Sequence, residues 1–132
     1  MDYFKQINDQ YGHEAGDLVL KRIAQILNDS TRKQDVVGRF GGEEFILILK
    51  DQNLEQAIEV AERCRRAIFD ENIILTNQHC LKITASFGVA TAVEGTSPEL
   101  VTRFADQALY LAKQQGRNQV RHFHELTSTD MS

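Results

Sequence analysis

Asp35-Val36-Val37-Gly38-Arg39-Phe40-Gly41-Gly42-Glu43-Glu44-Phe45-Ile46-Leu47-Ile48-Leu49 is the stretch whose reading decides the fold. Two short apolar runs, Asp35–Phe40 and Glu44–Leu49, stand on either side of Gly41-Gly42. Runs of this length bounded by glycines read as strands, and glycines accept the positive φ that tight hairpin turns demand. The pattern predicts a β-hairpin with Gly41 and Gly42 at its tip. Upstream, Leu18, Val19, Ile23, Ile26 and Leu27 recur at helical spacing between Glu14 and Asn28. Downstream, Leu54–Phe69 reads as a second amphipathic helix with Ala57, Ile58, Ala61, Cys64 and Ile68 on one face. Leu81–Val89 alternates Leu, Ile, Ala, Phe and Val on one side, the period of a half-buried strand. Ser97 and Pro98 suit the cap and first turn of a helix carrying Leu100, Val101, Phe104, Ala108 and Leu111, and Gly116 is placed to end it. Asn118–His124 closes the series as a strand. The order helix, hairpin, helix, strand, helix, strand predicts an α/β (α+β) fold, with helices flanking a mainly antiparallel sheet.

Composition sets the outer bounds. A chain of 132 residues, 42% hydrophobic and 26% charged, is of a size and make-up for one globular domain. There is no linker, repeat or low-complexity break, so one domain is expected over residues 1–124, with 125–132 as a C-terminal tail. The longest apolar runs, such as Phe45–Leu49, are far too short to span a bilayer, and the opening MDYFKQIND is no signal peptide. Cys64 and Cys80 lack metal-ligand spacing and read as ordinary thiols of a reducing, cytoplasmic compartment. A net charge of −4 argues against DNA or RNA held by bulk charge. A few placed cations can still bind phosphates.

Two segments could carry chemistry. Gly41-Gly42 at a hairpin tip lets a backbone approach a ligand, and Glu43-Glu44 follows at once. Mg²⁺ is commonly held by one or two carboxylates together with substrate phosphates, so this pairing suits metal-assisted phosphoryl or nucleotidyl transfer. By composition alone it is equally a turn followed by a solvated edge. In the opening segment, Asn8 and Asp17 offer the amide and carboxylate that a guanine edge requires, the carboxylate accepting from N1–H and N2–H₂. Alternatively Asn8 and Asp9 make a turn, and Asp17 sits near a helix start, where the dipole favours it.

Taken together, DYFKQINDQYGHEAGD, RFGGEEF, ITASFGVA and ADQALYLAKQQGRNQV, in this order and spacing, resemble the GGDEF family, the diguanylate cyclases, over nearly the whole chain. The resemblance implies a ferredoxin-like sheet of the nucleotidyl cyclase and polymerase palm type. It also implies condensation of two GTP into cyclic di-GMP across a homodimer, with Mg²⁺ or Mn²⁺ as cofactor. On that resemblance Gly41, Gly42, Glu43 and Glu44 form the signature hairpin over the phosphates. Glu43 is then a metal ligand and the base or positioner for the attacking 3′-hydroxyl, with the Met1 backbone carbonyl as a second ligand. Asn8 and Asp17 read guanine, His13 lies close to the substrate, and Phe4 and Ile7 line the nucleotide pocket. Lys113 and Arg117 neutralise the triphosphate. Arg32 and Asp35, in the family's Arg-x-x-Asp pattern, and Arg63 form an inhibitory site for cyclic di-GMP.

The family pattern Asp-x-Asp-x-Phe-Lys places a metal-ligand aspartate just before the position of Met1, with further elements upstream. The chain is therefore expected to lack the N-terminal part of the domain and, taken literally, to be weak or inactive as a cyclase. Two other functions fit the same residues: a non-catalytic cyclic di-GMP receptor and a regulatory GTP-binding module.

Overall fold

The computed structural model describes residues 1–75 and 78–123. His124 and the expected tail 125–132 lie outside the described residues. The chain runs α1 Phe4–Tyr11, α2 His13–Asp29, β1 Val36–Gly41, β2 Glu44–Ile48, α3 Leu54–Asp70, β3 Ile73–Ile74, β4 Cys80–Leu81, β5 Phe87–Val89, α4 Pro98–Gln114 and β6 Val120–His122. This is a mixed helix-and-strand fold. Its strands form three two-stranded ladders among the described residues: β1–β2 and β3–β4 antiparallel, β5–β6 parallel.

The three long helices form where periodicity predicts them, and α4 also where its cap does. At α3 the Asn53 side chain accepts from the Gln56 N–H at 2.9 Å, while the Gln56 side chain accepts from the Asn53 N–H at 3.0 Å. This reciprocal pairing satisfies two donors that a helix start otherwise leaves orphaned. Ser97 caps α4 through Leu100, with Pro98 behind it. The other end of α4 closes on Gly116, whose φ of 114° is left-handed, and the Arg117 N–H reaches back to the Ala112 carbonyl at 2.9 Å.

Three differences from the sequence pattern have physical causes. Phe4–Tyr11 is a helix although Asn8 and Asp9 are poor helix formers. Its register places Ile7 in the core with Val19 and Ile23, and that burial outweighs local propensity. Leu18, expected on the buried face of α2, is 36% exposed, and Leu20 is buried in its stead. Leu81–Val89 is not one strand: ladder pairing holds at Leu81 and from Phe87, and residues 82–86 lie between. The predicted alternation survives there without the ladder, because Leu81, Ile83, Ala85 and Val89 are all buried.

The main core joins α1, α2, α3 and the 73–85 segment around Ile23, Leu27, Cys64 and Ile68, each at most 2% exposed. Burial pushes the Cys64 thiol up, as expected of a thiol that only fills space. Helix α4 lies on β5 and β6 through small residues, with Ala108 and Ala112 fully buried. The contact is closest at Gly88. A Cβ there would stand 2.1 Å from the Ala105 carbonyl oxygen and 2.4 Å from the Leu109 nitrogen, both backbone atoms that cannot swing aside. Gly88→Ala is therefore expected to cost about 3 kcal/mol or more of folding stability by overpacking. Urea unfolding of the variant measures it, and an unchanged midpoint would contradict this packing.

Candidate functional site

The signature hairpin turns on two residues. Gly41 pairs with Glu44, leaving Gly42 and Glu43 as the loop, and the Arg39 side chain fastens it by donating from Nε to the Gly42 carbonyl at 2.9 Å. Neither Gly41 nor Gly42 has a positive φ, contrary to the reason for which glycine is expected at this tip. The register slips between Arg39 and Gly41, and the irregularity at Phe40 accommodates the bend. The glycines leave space instead: a Cβ on either would meet nothing within 4 Å, so the face over the turn is open. Beside it, the Met1 ammonium donates to the Glu43 carbonyl at 3.3 Å. Burial lowers the pKa of that ammonium, and the charges of Asp2, Lys113, Glu43 and Glu44 all act on it. The backbone of Glu43 thus lies directly beside Met1.

The second part is the corner between α1 and α2. Gly12, at φ 93°, separates the helices, and its N–H donates to the Asn8 carbonyl at 2.8 Å. The Asn8 side-chain oxygen is buried without a hydrogen-bond partner and rests against Gly16, where a Cβ would lie 1.9 Å from it and 3.2 Å from Phe4 Cζ. Gly16 thus makes room for both Asn8 and Phe4. Asp17 follows on the exposed side of α2. It helps to line a cleft of about 450 Å³ between α2 and the hairpin, together with Lys21, Val37, Arg39 and Phe45. His13 is exposed at the first position of α2, whereas Ile7 belongs to the core.

A buried carboxylate joins these parts, and sequence reasoning gave it no role. Asp2 is 2% exposed. Its Oδ2 accepts from Thr84 Oγ1 at 2.7 Å and from the Asn118 N–H at 3.1 Å, and its Oδ1 accepts from Ser86 Oγ at 2.8 Å. The Asp2 N–H donates to the Thr84 carbonyl at 3.0 Å. Asn118 is held from its other side by Arg65 Nη1 at 2.9 Å, and Arg65 pairs in turn with Glu62. Arg117 lies with its guanidinium carbon 4.9 Å above the Tyr3 ring. The available signal was the alternation of Thr84 and Ser86 with buried Ile83 and Ala85, which turns both hydroxyls to one side.

Arg32, Asp35 and Arg63 form a third group. The Asp35 carboxylate accepts from the Arg32 backbone N–H at 2.8 Å and from its guanidinium at 3.1 and 3.3 Å, and from the Lys50 N–H at 3.3 Å. Arg63 reaches from α3 to the Ser30 carbonyl at 3.1 Å, two residues before Arg32. Both arginines are therefore brought to the C-terminal end of α2.

For a divalent cation, the side-chain donors at the hairpin are the Glu43 and Glu44 carboxylates. Among the described residues no three His, Cys, Asp or Glu side chains gather as a ready-made cage. That donor set fits Mg²⁺ or Mn²⁺ arriving with a polyphosphate, since Mg²⁺ characteristically keeps waters and takes few protein carboxylates.

A mixed α/β domain with an open glycine turn, paired carboxylates and nearby cations is of the nucleotide-handling class. The family model described as "Diguanylate cyclase, GGDEF domain" matches residues 1–119, and the chain belongs to that family. Diguanylate cyclase A of Treponema denticola is 41% identical over 91% of this chain and 32% of its own length. YhcK of Bacillus subtilis is 45% identical over 91% of the chain and 34% of its own. The crystal structure of the GGDEF domain of DgcB from Caulobacter crescentus, in complex with cyclic di-GMP, superposes with a TM-score of 0.89 at 30% identity. That match covers 93% of this chain and 73% of the other. The chain spans about a third of the length of the curated relatives it matches. No helix among the described residues is long and apolar enough to cross a membrane.

The Arg32 hydrogen bonds hold the Asp35 carboxyl below its usual range, with the backbone donors of Arg32 and Lys50 adding to them. The folded-state pKa is thus below the unfolded one. The pair's contribution to stability is present above the unfolded value of about 4 and is lost as pH falls through the lower folded value. The stability difference between the unmodified chain and Asp35→Asn should accordingly shrink on acidification from pH 7 to about 3. Denaturant unfolding across that range measures it, and a difference independent of pH would contradict the pairing.

Proposed function

We propose that this domain condenses two molecules of GTP into cyclic di-GMP with release of pyrophosphate. The observation that carries the reading is the open Gly41–Gly42 turn followed at once by Glu43 and Glu44, on a hairpin that faces Asp17 across a cleft. In this reading Asn8 and Asp17 read guanine. The buried, unpartnered oxygen of Asn8 supports that role, because such an atom costs free energy until a donor reaches it. Phe4 and His13 flank the base, and Lys113 and Arg117 meet the triphosphate, the first as a point charge and the second as a fork.

The 3′-oxygen of one GTP attacks the α-phosphorus of the other. A P–O bond forms as the bond to the leaving pyrophosphate breaks, and Glu43 takes the hydroxyl proton. Repetition in the opposite sense closes the ring, so two loaded protomers must face one another. Bound Mg²⁺ or Mn²⁺ supplies charge neutralisation at the phosphates. The protein's own share is positioning, with Glu43, Glu44 and the Met1 carbonyl offering metal ligands and the glycine turn admitting the triphosphate. Arg32, Asp35 and Arg63 bind the product: the two arginines are gathered at one helix end, and arginine suits both guanine and phosphate. The cyclic di-GMP held by the DgcB domain supports the same class of ligand.

Incubation of the protein with GTP and Mg²⁺, followed by chromatography for cyclic di-GMP and pyrophosphate, tests the reading. Glu43→Gln should lower turnover at least ~100-fold, as loss of a positioned proton acceptor does, while cyclic di-GMP binding persists. A Glu43→Gln protein that turns over at the unmodified rate would contradict the assignment.

A further inference from the structure

We propose that Asp2 is a positioning residue for the nucleotide, holding the base-reading end of the site at a set distance from the phosphate-binding end. The inference rests on the GTP reading above and adds a residue to it. Asp2 precedes α1, which carries Phe4 and Asn8, by one residue, and that residue, Tyr3, turns sharply with φ 58°. On the other side, Gly116, Arg117 and Asn118 are consecutive left-handed residues with φ of 114°, 62° and 50°. Two of the three are not glycine, so the turn after α4 is strained and has to be held from outside.

The Asp2 carboxylate does this. It takes the Asn118 N–H, a donor that the left-handed turn directs inward, and the Ser86 hydroxyl shares that donor at 3.1 Å. Thr84 and Ser86 donate to the same carboxylate. A buried carboxylate with three donors is stable only in that geometry, because losing a donor leaves an uncompensated charge. Tyr3 and Arg117, which flank the link on its two sides, are themselves in contact. The separation of Asn8 from Lys113 and Arg117 is therefore set through one side chain that touches neither base nor phosphate.

A ligand engaging both ends depends on that separation, whereas one engaging a single end does not. Three ligands distinguish these cases: GTP with Mg²⁺, guanosine alone and inorganic tripolyphosphate alone, each in competition with a fluorescent GTP analogue. Asp2→Ala should lower GTP affinity about tenfold or more and leave guanosine and tripolyphosphate within about twofold. Asp2→Asn should stay within about threefold for GTP, since its amide oxygen can accept from Thr84 and Asn118 while its NH₂ donates to Ser86. If Asp2→Ala does not fold, Ser86→Ala, which removes one donor, is read in the same way. Unchanged GTP affinity in a folded variant, or equal losses for all three ligands, overturns the proposal. Absence of GTP binding by the unmodified chain overturns instead the reading on which it rests, and the proposal with it.

Discussion

The constraint on which the rest of the structure depends is the need to satisfy a carboxylate taken out of water. Asp2 is the only buried charged residue among those described, and transferring such a group from water is prohibitive unless every acceptor position is met. The donors come from two places far from Asp2 in sequence, the 84–86 segment and the turn after α4. The interaction therefore does what an unbroken sheet does elsewhere. It ties segments that share no ladder, and it does so at the position where the candidate nucleotide site needs its parts in register.

Around that link, small residues set distances. Gly88 lets α4 lie directly on the β5 backbone, with Ala108 and Ala112 continuing the close approach. This seating carries Lys113 in the last turn of α4. Gly16 does the same at the α1–α2 corner, where it leaves the Asn8 side chain just enough room. Gly41 and Gly42 differ from both, since nothing protein-borne fills the space above them.

Much of this was legible in the sequence. The three long helices, the cap and stop of α4, the hairpin and the membership of the GGDEF family all follow from periodicity and motif spacing. What escaped has a common character. Helix α1 is stabilised by the burial of Ile7, a tertiary effect that local propensity does not register. The interruption of Leu81–Val89 is equally non-local: alternation reports which side chains are buried, but not whether a backbone partner lies alongside. The role of Asp2 was hidden because its partners are 82, 84 and 116 residues away. The glycine turn was read correctly as a turn, but the positive φ expected of its glycines is absent, and a Cβ on either would meet open space.

The central claim is that one nucleotide spans a site whose two ends are joined through the protein interior. A crystal structure of the protein with Mg²⁺ and a GTP analogue that cannot release pyrophosphate tests it most directly. The account predicts guanine within hydrogen-bonding distance of Asn8 and Asp17, with the triphosphate crossing the Gly42–Glu43 turn to Lys113 and Arg117. Guanine bound elsewhere, or phosphates that leave the glycine turn empty, would contradict it.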